Sequence, residues 1–430
     1  MDDLWVVLPH LGAGGAQKVG LLAAEHFAAQ GLKVRVLSLR HNHPIKHRLP
    51  ENVTVFDLGP DEQDPHPWLR DVENRSLLAR GRRFVVAQCL RARRFSLRLL
   101  MGLLLLWLQL TWRWVDPRVQ VGSSALVVRL LNLCMRRVGG WKYRQLRTLL
   151  QSQRPKRVLA LLTKTNILCC AAVWDLPIHL VVSERNDPRR QRLDRLWSRL
   201  RRVYYRRADV VTANTEGVLH ALQEMGTWQR LDLLPNPLPG GLNLNGASQA
   251  SEREPELLAV ARLVPQKGLD LLIRAFASLH ESVRSGWRIV LVGDGPERGA
   301  LEALAQQQGI RDQVVFEGFQ SDPLRYMERA SIFTLPSRFE GMPNALLEAM
   351  AAGLPSVVSD ASPGPLEMVC DGRQGLVVPN DNVEALAAAL QQLMRDQRLR
   401  ERMGMEARTT LRSLDWDVVE PHWRSVLALS

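Results

Sequence analysis

The chain has 430 residues, 46% of them apolar, with ordinary Gly and Pro content. That length suits two or three domains, and the composition excludes a disordered or fibrous protein. Five cysteines without a C-x-x-C pair exclude a disulfide framework and a cysteine metal site, and point to a reducing compartment. The net charge of +13 is uneven: residues 1–250 hold 38 Lys and Arg against 19 Asp and Glu, and residues 251–430 hold 19 against 25. Such asymmetry gives the halves different partners, with nucleic acid, an anionic membrane or substrate phosphates open to the basic half. The acidic start Met1-Asp2-Asp3 lacks the basic and apolar regions of a signal peptide, so a cytoplasmic location is expected.

In chain order, the apolar run Leu4–Leu8 reads as a strand ending at a glycine-rich turn, Gly12 to Ala16. A helical pattern from Gln17 to Gln30 stops at Gly31 and is followed by a strand at Lys33–Leu39. This β-α-β unit opens a parallel sheet. Val158–Leu162, Leu180–Ser183, Val210–Ala213 and Leu231–Leu234 read as its further strands. Residues 236–255, rich in turn formers, read as a linker. A second alternating series then runs from Leu257–Ala261 to a helix at 382–396, predicting a second doubly wound sheet. The predicted domains are therefore 1–235, 256–415, and a C-terminal helix, 416–430, returning to the first domain.

An inserted segment, about 75–147, interrupts the first series. Arginines from Arg80 to Arg98 lead into the apolar decamer Leu99–Leu108, with Trp107, Trp112 and Trp114 at its boundary. Ten residues make about 15 Å of helix, half of a bilayer core of about 30 Å. The segment is either a buried core helix or an interfacial one, with arginines at the headgroups.

Chemistry-bearing residues concentrate in the second half. Arg262 follows a strand and Lys267 precedes Gly268; two cations at the carboxyl edge of a parallel sheet, backed by a helix N-terminus, suit a diphosphate. Further on, Glu340-Gly341-Met342-Pro343-Asn344 forms a turn into a helix carrying Glu348. The backbone amides of that turn are placed to face a cleft. Glu348, among Ala, Leu and Met, needs hydrogen-bond donors, which sugar and ribose hydroxyls supply.

These pieces lie within "AVARLVPQKGLDLLIRAF", "IVLVGDGPER", "VVFEGF", "FTLPSRFEGMPNALLEAMAAGLPSVVSD" and "GLVVP". In that order and spacing, Leu257–Pro379 resembles family 4 of the retaining glycosyltransferases. "SDASPGPLEMV" and "VVSERNDPRR" are similar to members that build bacterial surface polysaccharides and glycan-lipid precursors. The resemblance implies the GT-B fold, two Rossmann-like α/β/α domains facing across a cleft. It implies that Arg262 and Lys267 bind the donor diphosphate, that Glu348 holds the ribose, and that Glu340 lies against the transferred sugar. Amides from Gly341 through Met342 and Pro343 to Asn344 would contact the sugar hydroxyls, and Gly318 and Phe319 would flank the base. "LPHLGAGGAQKV" resembles the family's N-terminal glycine loop, so Gly14 and Gly15 would approach the donor phosphate or the acceptor. Many relatives carry a histidine in the region of 181–190; here there is none, and Glu184 or Asn186 takes that place.

The expected reaction is transfer of a hexose or N-acetylhexosamine from a nucleoside diphosphate sugar, UDP-linked, with retention. The acceptor would be a glycan or polyprenyl-lipid-linked saccharide at the cytoplasmic face of the inner membrane, with the anionic membrane surface as a partner. No metal or other cofactor is expected, and no nucleic acid, since no recognition module accompanies the basic half. Two rival patterns fail. Gly12-x-Gly14 lacks the third small residue and ribose acid of a dinucleotide fingerprint, and Asp415-Trp416-Asp417 reads as a helix cap rather than a metal site. A binding-only scaffold would usually have lost one of the four charged residues, and all are present.

Overall fold

The computed structural model describes residues 1–12, 14–59, 77–111, 123–189, 191, 193–239 and 253–429. Most of the linker, together with Trp112 and Trp114, lies outside the described residues, as do the side chains of Arg80 to Arg94.

The first sheet contains β1 (Leu4–Leu8), β2 (Val34–Ser38), β3 (Thr54–Asp57), β4 (Arg157–Leu161), β5 (His179–Glu184), β6 (Val210–Ala213) and β7 (Leu231–Leu233). Its order is β3-β2-β1-β4-β5-β6-β7, parallel throughout. The helices between them are α1 (Gly15–Ala29), α2 (Leu77–Thr111), α3 (Ser123–Val138), α4 (Gly140–Gln153), α5 (Thr163–Ala172), α6 (Arg195–Tyr204) and α7 (Glu216–Met225). Every residue of β1 is buried, as expected for a parallel strand covered by helices on both faces, where apolar runs replace alternation. Polar residues fix helix starts: Asp194 accepts from the Trp197 amide at α6, and Thr215 from Val218 at α7.

The second sheet, ordered β10-β9-β8-β11-β12-β13, is also parallel. Its elements are β8 (Glu256–Val260), α8 (Leu269–Ser278), α9 (Glu281–Arg284), β9 (Arg288–Val292), α10 (Arg298–Gln307), β10 (Val314–Gly318), α11 (Leu324–Arg329), β11 (Ile332–Leu335), α12 (Asn344–Ala351), β12 (Ser356–Ser359), α13 (Pro363–Met368), β13 (Gly375–Val378), α14 (Val383–Arg395) and α15 (Gln397–Leu411). Two doubly wound α/β units are thus present, as the alternating pattern predicts.

The last helix, α16 (Trp416–Leu427), packs on the first domain. Trp423 and Val426 are fully buried in one apolar cluster with Leu4, Val6 and Leu159. Trp416 stacks on His26 with ring centroids 3.8 Å apart, and His26 bonds Glu420 at 2.8 Å. Asp415 and Asp417 therefore stand at a helix start, a favourable place for negative charge.

Candidate functional site

The strand order places the site. In each sheet the winding reverses at one point, between β1 and β4 in the first and between β8 and β11 in the second. Loops leaving the carboxyl ends of strands there diverge and open a crevice. The loops after β1, β4, β8 and β11 all line one cavity of about 640 Å³, walled by both domains.

Two glycines permit the close approaches. Gly268 has φ +62°, and a Cβ on it would lie 2.0 Å from the Pro336 carbonyl oxygen. This contact draws the Lys267 turn against the exit of β11. A Cβ on Gly341 would lie 2.1 Å from the Arg185 carbonyl oxygen of the first domain. No side chain fits at either point, so backbone meets backbone.

Within the cavity, the Lys267 ammonium donates to Glu340 Oε1. The same oxygen accepts from Ser337 Oγ at 2.7 Å, and the Glu340 amide donates to Ser362 Oγ at 2.9 Å. Arg262 lines the cavity. Among the described residues its guanidinium has no side-chain hydrogen bond or ion pair. Glu348, one turn into α12, is buried and pairs with Lys18 Nζ of α1 at 2.8 Å. Burial pushes its carboxyl above the usual range, and the adjacent Lys18 only partly offsets this.

Asn344 Nδ2 donates to the Gly15 carbonyl at 2.9 Å. Its Oδ1 accepts from Asn236, which in turn accepts from Arg185 Nη1 at 2.6 Å. The N-termini of α1 and α12 are thereby tied together, so two positive helix ends converge on the cleft. From the first domain, Lys46 places its ammonium 4.6 Å from the centroid of the Phe319 ring.

Arg262, Lys267, Glu340, Glu348, Gly14, Gly15, Asn186, Phe319, Gly341, Met342, Pro343 and Asn344 all line this cavity. Two residues singled out in the sequence do not. Gly318 ends β10 with φ +70° and is not among the lining residues, whereas Phe319 is. Glu184 is fully buried at the end of β5. It accepts from Thr163 Oγ1 at 2.8 Å and from the Tyr205 hydroxyl, with Arg201 at 3.9 Å. Such a carboxylate braces the loop that follows it rather than facing the cleft, and Asn186 is the one of that pair at the cavity wall.

Sequence reasoning missed His10, Lys18, Lys46, His47 and Asn236, all lining residues. His10 stacks on His43 with centroids 4.4 Å apart, and burial followed by neighbouring positive charge lowers its pKa. His47 is lowered likewise, first by burial, and its Nε2 lies 3.1 Å from the Gly14 carbonyl. The available signal was position: His10 lies two residues past β1, Lys18 lies in the first turn of α1, and Asn236 follows β7.

Comparison with known proteins agrees with this geometry. Residues 243–410 match the family model of "Glycosyl transferases group 1". The chain is 32% identical over 212 residues to the lipopolysaccharide core biosynthesis glycosyltransferase LpsE of Rhizobium meliloti, 48% of this chain and 60% of that protein. It is 26% identical over 287 residues to the GalNAc-alpha-(1->4)-GalNAc-alpha-(1->3)-diNAcBac-PP-undecaprenol alpha-1,4-N-acetyl-D-galactosaminyltransferase of Campylobacter jejuni, 67% of this chain and 78% of that protein. The chain spans about three fifths of the length of two curated relatives it matches and a fifth of another. The crystal structure of Anabaena Alr3699/HepE in complex with UDP and glucose superposes over the full length of both chains, with a TM-score of 0.69 at 16% identity. That likeness fixes the fold as the two-domain GT-B architecture, and the second domain is similar to the group 1 glycosyl transferases.

Proposed function

We propose that this protein transfers a hexosyl or N-acetylhexosaminyl group from a UDP-sugar to a glycan or lipid-linked saccharide, with retention, as a member of family 4. The observation that carries it is the convergence of Arg262, Lys267, Glu340 and Glu348 on one cavity between the domains. Relatives named for lipopolysaccharide core and diphospho-undecaprenol substrates support the acceptor class, and the likeness to a UDP-bound structure supports the nucleotide.

In this mechanism Arg262 and Lys267 bind the diphosphate and Glu348 holds the ribose hydroxyls. Phe319 flanks the base, with Gly318 shaping its turn. Glu340 and the amides of Gly341 to Asn344 position the sugar. The bond from the anomeric carbon to the diphosphate oxygen breaks as the acceptor oxygen attacks the same face. The acceptor proton passes to the departing phosphate, whose developing charge the two cations stabilise. The cleft end of α1, at Gly14 and Gly15, offers backbone donors to the phosphate or the acceptor. Asn186 lies on the acceptor side, and Glu184 acts there only by positioning the loop.

The test is a panel of labelled sugar nucleotides incubated with membrane lipid extract, followed for hydrolysis and transfer. Transfer of one UDP-sugar with retained anomeric configuration is expected. Failure to turn over any sugar nucleotide would leave a binding protein in place of an enzyme. Activity is also expected to persist in EDTA, because two cations already serve the diphosphate and the described residues contain no His, Cys, Asp and Glu cluster able to hold a metal. Loss in EDTA that Mg²⁺ or Mn²⁺ restores would overturn the metal-independent mechanism.

A further inference from the structure

The α2 and α3 helices carry apolar residues on the side turned away from the protein. Met101 and Leu105 of α2, and Leu131 and Met135 of α3, are fully buried in the first domain's core. On the opposite side of α2, Leu99, Leu103, Leu106 and Leu110 follow the i, i+4, i+7, i+11 stripe and are 43% to 66% exposed. In α3, Leu126, Leu130 and Leu133 repeat the pattern, 41% to 59% exposed. A helix covering a soluble domain presents polar residues on that side. Exposed apolar stripes on two helices that pack together mark a binding surface. Half of it, on α3, lies beyond the decamer that stands out in the sequence.

Charge identifies the occupant. Residues 77–174 contain 19 Lys and Arg and a single acid, Asp116. The remainder of residues 1–250 holds 19 basic against 18 acidic residues. Nearly all the excess charge of the first half therefore lies in the stretch of sequence that contains both helices. Arg98 of α2, and Arg129, Arg136 and Arg137 of α3, are exposed on the same two helices. The neighbouring α6 adds exposed Arg195, Arg199 and Arg202 and no acid. A second copy of the chain would bring like charge against like charge. A bilayer with anionic headgroups satisfies both features at once, the leucines entering the acyl boundary and the arginines meeting phosphates. Among the described residues no helix is long and apolar enough to cross a membrane.

We infer that the α2–α3 face docks the protein on an anionic membrane surface. The face adjoins the cleft: α6 packs on α2, with Gly102 beside Arg199, and α6 begins just after the 185–191 loop that lines the cavity. Docking does not rest on the transferase reading, although it would bring a lipid-linked acceptor to the cavity if that reading holds.

Flotation of the full chain with phosphatidylcholine vesicles, with and without 30% phosphatidylglycerol, tests the assignment. Binding is expected to the anionic vesicles and to weaken steeply in high salt. Combining Leu103→Gln, Leu106→Gln, Leu130→Gln and Leu133→Gln should weaken it at least ~10-fold. All four side chains are exposed, so the thermal unfolding midpoint should be retained. Lys267→Ala, which addresses turnover alone, should float like the wild type. Absence of binding at low salt, equal binding to neutral and anionic vesicles, or full binding by the folded quadruple variant would each overturn the proposal. A dimer that the quadruple variant abolishes, without vesicle binding by the wild type, would assign the face to a second copy instead.

Discussion

Replacing Lys267 with alanine is expected to lower kcat/KM by at least ~10²-fold, the scale of a lost electrostatic contact with charge that develops in the transition state. Lys267 stands at the switch point of the second sheet, where a turn through Gly268 holds it against the exit of β11. Its ammonium bonds Glu340, so the substitution has two consequences. On the proposed mechanism it removes a cation from the departing diphosphate, and it leaves a poorly exposed carboxylate with Ser337 Oγ as its remaining side-chain donor among the described residues. The double variant Lys267→Ala with Glu340→Gln separates them. If diphosphate charge dominates, the double variant stays at or below the single one. If the stranded carboxylate dominates, Glu340→Gln raises activity above that of Lys267→Ala, though not to wild type because Glu340 also positions the sugar. Arg262→Ala is the cleaner companion, because Arg262 has no ion-pair partner among the described residues, and a loss of similar size is expected. Near-wild-type activity in both single variants would remove the diphosphate assignment.

The sequence reveals what repeats locally and hides what depends on the fold closing. Arg262, Lys267, Glu340 and Glu348 fall on one side of the linker within about ninety residues, each beside a strand end or helix start that the apolar pattern marks. Lys18, by contrast, reaches Glu348 across 330 positions, and no periodicity encodes that pairing. Glu184 is expected at the cleft only through the resemblance, as one of two residues standing where many relatives carry a histidine. The structure buries it because Thr163, Tyr205 and Gln191 supply donors, and a carboxylate so satisfied has no need of a ligand. Strand β3 escaped notice because Thr54–Asp57 is a partly exposed edge strand, without the apolar run of the buried strands. Of the insertion's two alternatives, a core helix accounts for only part of the segment: α2 buries Met101 and Leu105 while exposing Leu103 and Leu106. Only the positions of the neighbouring helices could divide one apolar segment between two environments.

The division of labour between the glutamates predicts the second large effect. With Glu348 as the ribose-binding carboxylate, Glu348→Gln should weaken UDP binding by ~10- to 10²-fold, the range for hydrogen bonds to a charged acceptor. Glu340→Gln, acting on the sugar, should leave the affinity for bare UDP much closer to wild type. Calorimetric titration with UDP decides this, and equal losses or the reverse order would end the assignment. The pH dependence adds a second readout. Burial holds the Glu348 carboxyl above the usual carboxylate range, and the cation of Lys18 pulls it back down. Ribose hydroxyls donate best to the ionised form, so UDP affinity should fall as pH drops through this raised pKa, earlier than an exposed glutamate would allow. Lys18→Met removes the offsetting charge, so the fall should begin at still higher pH. In Glu348→Gln, which has no proton to gain there, that inflection should vanish. A wild-type profile that persists in Glu348→Gln would mean that another group, such as His10 or His47 at the same cavity, governs nucleotide binding.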